Sequence, residues 1–245
     1  MDVDAVIDGC LLASFRGPDA PAWLLRRLEG GLGGVCLFGD NIADAGRVAE
    51  LTSTLRSAAG APVVAADEEG GDVTRLEMAT GSSSPGNAAL GSIDDEALTR
   101  AVATSIGAEL AAAGVTVDLA PCVDVNSNPA NPVIGVRSFG ADPQLVGRHG
   151  AAFVRGLQAA GVAACAKHFP GHGDTAADSH LDLPVVHQPL EVLRDRELAP
   201  FRAVIAAGVD AVMTSHVVLP ALDDRPATTS RRVLVELLRG ELGFT

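Results

Sequence analysis

Short runs of small apolar residues alternate along the chain with longer segments whose apolar positions recur at helical spacing. The apolar runs predict six buried strands, at 8–14, 34–38, 62–66, 115–120, 161–166 and 210–215. The amphipathic segments predict helices at 21–29, 43–59, 94–113, 142–160, 189–207 and 230–239. A serine- and glycine-rich stretch, 81–91, is expected to be a loop. This alternation predicts right-handed βα units and a parallel sheet.

The polar residues that follow the strands favour a closed barrel over a doubly wound sheet. They come after four successive strands: Asp67 and Arg75, Asp124 and Arg137, Lys167 and His168, and His216. In a barrel these loops converge on one face, whereas a doubly wound sheet concentrates its site at one switch point. We therefore expect an α/β fold with a single domain, 1–245, built as a TIM-type (β/α)8 barrel. The barrel is expected to be incomplete, with about six βα units and the last strands missing.

Composition narrows the classes of partner and compartment. Hydrophobic residues make up 47% of the chain and aromatic residues only 3%, so the core must be built from alanine, valine and leucine. The net charge of −13 argues against nucleic acid and against an anionic membrane surface. Cys10, Cys36, Cys122 and Cys165 are isolated in apolar segments and are expected to be buried thiols. With no signal peptide or membrane-spanning run in view, we expect a cytoplasmic protein.

The richest polar stretch is 166–180, A-K-H-F-P-G-H-G-D-T-A-A-D-S-H, directly after the fifth predicted strand. It contains Lys167, the only lysine of the chain, and three of the six histidines. Pro170 and the glycines that follow it disfavour a helix, so the H-x-x-x-H spacing does not place His168 and His172 on one helix face. A metal site is therefore disfavoured. A metal-dependent hydrolase using His168, His172 and Asp174 remains an alternative.

The long motifs of this chain resemble those of glycoside hydrolase family 3, in particular its β-N-acetylhexosaminidase branch. The resemblance is carried by K-H-F-P-G-H-G-D-T at 167–175, A-D-S-H at 177–180, G-G-V-C-L-F-G-D-N at 33–41, D-E-E-G-G at 67–71, V-I-G-V-R-S-F at 133–139 and A-V-M-T-S-H at 211–216. It extends from about residue 9 to the last residue.

The resemblance implies a pocket for one N-acetylglucosamine ring and a histidine that moves protons. The positions that match sugar-holding residues of the family are Asp67, Arg75, Arg137, Lys167 and His168. His180 matches the general acid/base, and Asp178 matches the carboxylate that orients it. An imidazole that titrates near neutrality can protonate a leaving oxygen and later activate water, which suits this role.

The implied reaction is hydrolysis of terminal non-reducing β-N-acetylglucosamine residues by a retaining double displacement. It needs no cofactor and no metal. In the family the nucleophile is an aspartate after the seventh strand, and no residue of this chain matches it. We therefore expect a truncated chain whose activity is lower by several orders of magnitude. Two further departures, Glu68 and Asp72, are expected to add negative charge near the sugar pocket.

The expected partner is a small carbohydrate containing N-acetylglucosamine. For a cytoplasmic member of the family the resemblance suggests peptidoglycan fragments (muropeptides), with chitobiose-like sugars as another possibility. Two alternatives stay open beside hydrolysis. One is a β-N-acetylglucosaminide phosphorylase, because a neutral acid/base histidine tolerates incoming phosphate. The other is a sugar-binding barrel fragment without catalysis.

Overall fold

The structure is a computed structural model that describes residues 3–59, 61–178 and 181–245 of the chain. Its centre is one six-stranded sheet in which the strands follow the order of the chain, β1-β2-β3-β4-β5-β6. All five neighbouring pairs are parallel. The strands are β1 (Leu12–Ala13), β2 (Gly34–Cys36), β3 (Val63–Ala66), β4 (Val117–Asp118), β5 (Ala163–Phe169) and β6 (Ala211–Thr214).

Helices connect and cover these strands. They are α1 (Val3–Gly9), α2 (Ala22–Glu29), α3 (Ala45–Ala59), α4 (Asn87–Ile93), α5 (Glu96–Ala112), α6 (Pro143–Ala159), α7 (Leu190–Val192) and α8 (Leu198–Ala206). A π-type turn, Leu193–Glu197, joins α7 to α8, and a π-type helix, Arg232–Glu241, follows the last strand. Short 3₁₀ turns lie at Gly39–Asn41, Gly135–Arg137 and Ala227–Thr229.

The sequential strand order confirms the predicted architecture. A doubly wound sheet reverses its strand order at a switch point, and this sheet does not. The six parallel strands with their helices form part of a TIM-type barrel, as the alternation of apolar runs and amphipathic segments predicted. Every described parallel strand therefore directs its carboxyl end to the same rim.

Three local features differ from the prediction. Residues 8–9 of the first apolar run end helix α1, and within 8–14 only Leu12–Ala13 is extended. Helix α4 begins at Asn87, inside the stretch predicted to be a loop, and the Asn87 side chain donates to the carbonyl oxygen of Arg137 at 2.7 Å. Finally, the antiparallel strands β7 (Val218–Leu219) and β8 (Asp223–Pro226) follow β6. The short length of these elements leaves little periodicity to detect.

Small residues allow the helices to pack closely. A methyl group on Gly156 of α6 would lie 2.6 Å from the Cβ atom of Ala103 on α5, so only glycine fits that contact. His149, also on α6, is buried and is a structural residue. Its ring nitrogens lie 2.8 Å from Thr99 Oγ1 and 3.0 Å from Asp94 Oδ1. No described helix is both long enough and apolar enough to cross a membrane.

All four cysteines are free thiols, but the expectation that they are buried holds only for two of them. Cys122 and Cys165 are buried, Cys36 is half-buried, and Cys10 is exposed. Cys36 lies at the end of β2, and burial followed by the negative charge of Asp67 raises the pKa of its thiol to about 11. It is therefore protonated at neutral pH and is not a reactive thiolate.

Candidate active site

The ends of strands β3, β4 and β5 bring the predicted sugar-holding residues together. Asp67 comes directly after β3, and Lys167 and His168 lie near the end of β5. The chain after β4 continues beside β5, where Cys122 pairs with Lys167. Because neighbouring parallel strands end at one rim, residues far apart in the chain meet there.

Lys167 forms the floor of this site. Its side chain is only 1% exposed, and its Nζ atom lies 2.7 Å from Asp67 Oδ1 and 2.6 Å from Glu69 Oε1. Arg137 donates two hydrogen bonds to the same Glu69 carboxylate, from Nη2 to Oε1 at 2.7 Å and from Nε to Oε2 at 3.1 Å. Arg75 lies above, with Nη2 at 3.4 Å from Asp67 Oδ2. We call these five residues the cradle.

Burial and neighbouring charges act in opposite directions on the pKa values of Glu69 and Lys167. Burial would raise the pKa of Glu69, but Lys167 and Arg137 outweigh it and lower that pKa to about 2. Burial would likewise lower the pKa of Lys167, yet Glu69 and then Asp67 outweigh it and raise that pKa. Each charge is thus stabilised by an opposite charge within hydrogen-bonding distance.

His168 is fixed by a buried carboxylate, Asp124. The His168 Nδ1 atom lies 2.6 Å from Asp124 Oδ2, and the backbone N–H of His172 donates to Asp124 Oδ1 at 2.7 Å. Burial would raise the pKa of Asp124, but the electrostatic effect of His168 and the hydrogen bond from its ring lower it to about 2. A carboxylate only accepts hydrogen bonds, so Nδ1 must carry the proton. The other ring nitrogen, Nε2, lies 3.5 Å from Arg137 Nη2.

The loop after β5 is well anchored as far as Thr175. Thr175 Oγ1 lies 2.8 Å from His172 Nδ1, and Asn131 Nδ2 donates to the His172 carbonyl oxygen at 2.8 Å. Burial lowers the pKa of His172, while the nearby charges of Asp124 and Asp178 act in the opposite direction. Asp178 is half-buried.

The structure brings five of the seven predicted site residues into one cavity of about 470 Å³. Asp67, Arg75, Arg137, Lys167 and His168 all line it, together with Glu69, Cys36, Phe38, His172 and His216. Asp178 is not among the lining residues, and His180 lies outside the residues that the structure describes. The proposed roles of these seven residues stay predictions.

Sequence reasoning missed the two carboxylates that organise the cavity, Glu69 and Asp124. Glu69 lies two residues after Asp67 in the same motif, and Asp124 was noted only as a residue following a strand. Nothing in their spacing shows that Glu69 bridges Lys167 and Arg137 or that Asp124 holds His168. These contacts depend on how strands and loops meet in three dimensions.

Neither Glu68 nor Asp72 lines the main cavity, and their expected effect on the sugar pocket stays a prediction. Glu68 is buried, and its Oε2 atom accepts the backbone N–H groups of Arg75 at 2.8 Å and Leu76 at 3.0 Å. Asp72 is exposed and lines a separate, smaller cavity of about 250 Å³. Glu68 therefore shapes the loop that presents Arg75, and neither residue lines the main cavity.

The side chains considered as metal ligands are already engaged. Asp174 accepts hydrogen bonds from Arg196 Nη2 at 2.8 Å and from Gln188 Nε2 at 2.8 Å. Among the described residues, one group of donor atoms lies within 4.8 Å of one another, namely those of Cys122, Asp124 and His168. Cys122 Sγ and His168 Nδ1 both contact the same oxygen of Asp124, so this group is a hydrogen-bonded cluster.

Residues 22–245 match the glycosyl hydrolase family 3 N-terminal domain. The chain is 40% identical to beta-hexosaminidase A of Pseudoalteromonas piscicida, over 96% of this chain and 43% of that protein. It is 46% identical to the solved family 3 beta-N-acetylglucosaminidase of Paenibacillus sp. str. FPU-7, with a TM-score of 0.95 over 100% of this chain and 48% of that one. This chain therefore spans about half the length of these two proteins.

A third relative has been solved with small molecules bound. NagZ from Neisseria gonorrhoeae in complex with N-trifluoroacetyl-D-glucosamine is 34% identical, with a TM-score of 0.88 over 96% of this chain and 71% of that one. Another structure of NagZ from the same organism contains a zinc ion.

Proposed function

This chain belongs to glycoside hydrolase family 3, and on that premise we propose that it serves hydrolysis of terminal non-reducing β-N-acetylglucosamine residues. The observation that carries the proposal is the position of Lys167. A single buried ammonium is shared by Asp67 and Glu69 at 2.7 and 2.6 Å, at the floor of a cavity large enough for one sugar ring.

The cradle offers the donors and acceptors that sugar hydroxyl groups require. Asp67 and Glu69 accept hydrogen bonds, while Lys167, Arg75 and Arg137 donate them. Because these charges compensate one another, the cradle can recognise a neutral ligand without carrying a large net charge of its own. The amino-sugar analogue bound by the Neisseria protein supports N-acetylglucosamine as the ligand class.

We propose that His180 protonates the departing oxygen and later activates water, and that Asp178 orients its imidazole. Asp178 supports this role because it is half-buried and acts electrostatically on His172, at the edge of the cavity. The loop that carries Asp178 is anchored to the site through His172 and Thr175.

A retaining mechanism also needs an attacking carboxylate. The two acidic residues that line the cavity, Asp67 and Glu69, are both bound to Lys167, and each also contacts an arginine. A carboxylate held in this way is a weak nucleophile because its negative charge is already neutralised. We therefore propose that the attacking carboxylate is not one of the described residues of this chain.

Peptidoglycan fragments in the cytoplasm are the substrate and compartment we propose. Four unpaired thiols, one of them exposed, fit a reducing compartment. The net charge of −13 disfavours nucleic acid as a partner.

Binding and turnover test the proposal separately. The purified chain should bind N-acetylglucosamine in calorimetry, and Lys167→Met should abolish that binding. Hydrolysis of 4-nitrophenyl N-acetyl-β-D-glucosaminide should fall at least about a hundredfold in His180→Ala. Turnover that requires inorganic phosphate would instead support the phosphorylase, and binding without any turnover would support a sugar-binding fragment. No binding of N-acetylglucosamine would refute the proposed ligand.

A further inference from the structure

Glu197 is a buried acid that the proposed reaction does not use. It ends the π-type turn between α7 and α8, and its side chain is only 2% exposed. It packs against the loop after β5, because a methyl group on Gly171 would lie 2.6 Å from Glu197 Oε2 and 2.9 Å from its Cβ atom. Glu197 therefore lies directly beneath the beginning of the loop that leads to Asp178.

Arg196 connects this acid to a second point on the same loop. Its Nε atom donates to Glu197 Oε1 at 2.7 Å, and its Nη2 atom donates to Asp174 Oδ2 at 2.8 Å. Gln188 donates to the same oxygen of Asp174 at 2.8 Å. The loop is thus attached to the helical segment at Gly171 by packing and at Asp174 by hydrogen bonds.

The opposite side of the loop is fixed by the segment after β4. Asp124 accepts the backbone N–H of His172, and a methyl group on Gly173 would lie 1.7 Å from the carbonyl oxygen of Val125. Since neither side leaves space, a change in one wall should displace the loop. Glu197 provides the wall that lies farther from the sugar cradle.

The second oxygen of Glu197 has no hydrogen-bond partner among the described residues. A buried polar atom without a partner is costly and calls for an explanation. Burial raises the pKa of Glu197 to about 7, against the opposing effect of Arg196 and with further help from the charges of Asp124 and Asp174. Glu197 does not line the cavity, so its burial at this cost is explained by its packing against the loop after β5.

We infer that Glu197 is a positioning residue that, together with Arg196 and Asp174, sets the position of the loop carrying Asp178. This inference rests on the proposed function, because it assigns Glu197 to the acid/base side of the site and not to the sugar cradle. Its loss should therefore disturb proton transfer while leaving sugar binding nearly unchanged.

The test compares Glu197→Ala with the conservative Glu197→Gln in the 245-residue chain. Glu241→Ala is the matched control, because Glu241 also bridges arginines of this helical segment, Arg194 and Arg202, and no described contact links it to the loop. Glu197→Ala should accelerate amide hydrogen exchange in 171–178 at least about tenfold, and Glu197→Gln should restore most of the protection. The control should leave exchange in that segment unchanged.

The imidazole of His172 gives a spectroscopic reading of the same displacement. Burial is the main cause of its lowered pKa. A loosened loop exposes the ring, so Glu197→Ala should raise the pKa of His172 in an NMR titration. Removing a negative charge without moving the loop would lower it, as Asp178→Asn should. The direction of the change therefore separates repositioning from a simple field effect.

Kinetics and binding complete the test. Glu197→Ala should lower kcat on the aryl N-acetylglucosaminide about tenfold, with KM and the N-acetylglucosamine Kd within about twofold. Unchanged exchange and a lowered His172 pKa would overturn the inference, as would a loss of sugar binding equal to the loss of kcat. If Glu197→Ala does not fold, Asp174→Ala removes the other attachment and should show the same changes at smaller size. A wild-type chain that does not bind N-acetylglucosamine would count against the proposed function, while exchange and the His172 titration would still decide the role of Glu197.

Discussion

Two buried charge clusters border the loop after β5, and they are compensated to different degrees. In the cradle, Glu69 is shared by Lys167 and Arg137, and both of these contacts join opposite charges. Beneath the loop, Glu197 has one cationic neighbour, Arg196, and one oxygen without a partner among the described residues. The pKa of Glu69 is lowered to about 2, whereas that of Glu197 is raised to about 7.

The difference shows that two carboxyl groups with similar burial can have pKa values shifted in opposite directions. Both carboxyl groups are 2% exposed, so burial disfavours the charged form of each. Two tightly bound cations reverse that effect at Glu69, and one cation shared with Asp174 does not reverse it at Glu197. The charge of Glu69 is accordingly insensitive to pH near neutrality, whereas the charge of Glu197 is sensitive to it.

The largest expected effect comes from removing the cation at the centre of the cradle. Lys167→Met leaves Glu69 buried with half of its compensation and should lower the free energy of unfolding by about 3–5 kcal/mol. It should also abolish N-acetylglucosamine binding. Urea unfolding and calorimetry measure the two losses independently.

A second substitution distinguishes stability from recognition in that experiment. Lys167→Met combined with Asp67→Asn removes the carboxylate that is left with only the 3.4 Å contact to Arg75, so it should recover part of the lost stability, while binding stays absent. A double variant as unstable as Lys167→Met would show that packing around the lysine stem, and not charge compensation, holds the cradle together.

A smaller effect is expected at Glu197, and it depends on pH. Its pKa is about 7 in the folded protein against an ordinary value of 4.5, so the folded state favours the protonated form. Its contribution to stability is complete below pH 4.5 and is lost as pH rises through 7. The loss should be about 3 kcal/mol, because each pKa unit corresponds to about 1.4 kcal/mol.

Glu197→Gln should remove this pH-dependent contribution to the free energy of unfolding. The stability of the variant relative to the wild type should therefore rise between pH 5 and pH 8. Urea unfolding at both values measures the change. Glu241→Gln is the control, because the hydrogen bond from Arg202 lowers the pKa of Glu241 below its ordinary value of 4.5. Its contribution changes only in more acidic solution, so the stability of this variant relative to the wild type should stay constant between pH 5 and pH 8. Parallel stability curves for Glu197→Gln and the wild type would mean that Glu197 stays ionised in the folded protein.

The sequence predicts this fold well where its elements are long. Helices such as 94–113 and 142–160 have several turns of amphipathic spacing and a glycine that ends them, and they appear as Glu96–Ala112 and Pro143–Ala159. Helix α4 has only seven residues and lies in a serine- and glycine-rich stretch, so its local propensity points to a loop. Its formation depends on tertiary contacts such as the bond between Asn87 and the Arg137 carbonyl.

Some residues around the candidate site could likewise be predicted from the sequence, and others could not. Residues at strand ends could be predicted because the barrel brings strand ends together, which is why Asp67 and Lys167 meet. Glu197 could not be predicted, because it lies within a helical segment where an acidic residue usually faces solvent. Its burial follows from the path of the loop above it, which local periodicity does not encode.

The smallest effect is expected at Glu68, whose charge was expected to disturb the sugar pocket. Glu68→Gln keeps an oxygen that can accept the backbone N–H groups of Arg75 and Leu76. Because these hydrogen bonds become neutral, unfolding should be easier by only about 0.5–1.5 kcal/mol, and the N-acetylglucosamine Kd should stay within about twofold. Glu68→Ala leaves both buried N–H groups without an acceptor, so it should cost more and weaken binding through Arg75. If Glu68→Gln instead tightened binding several-fold, the carboxylate would act on the sugar directly, and its placement beneath the Arg75 loop would not explain its role.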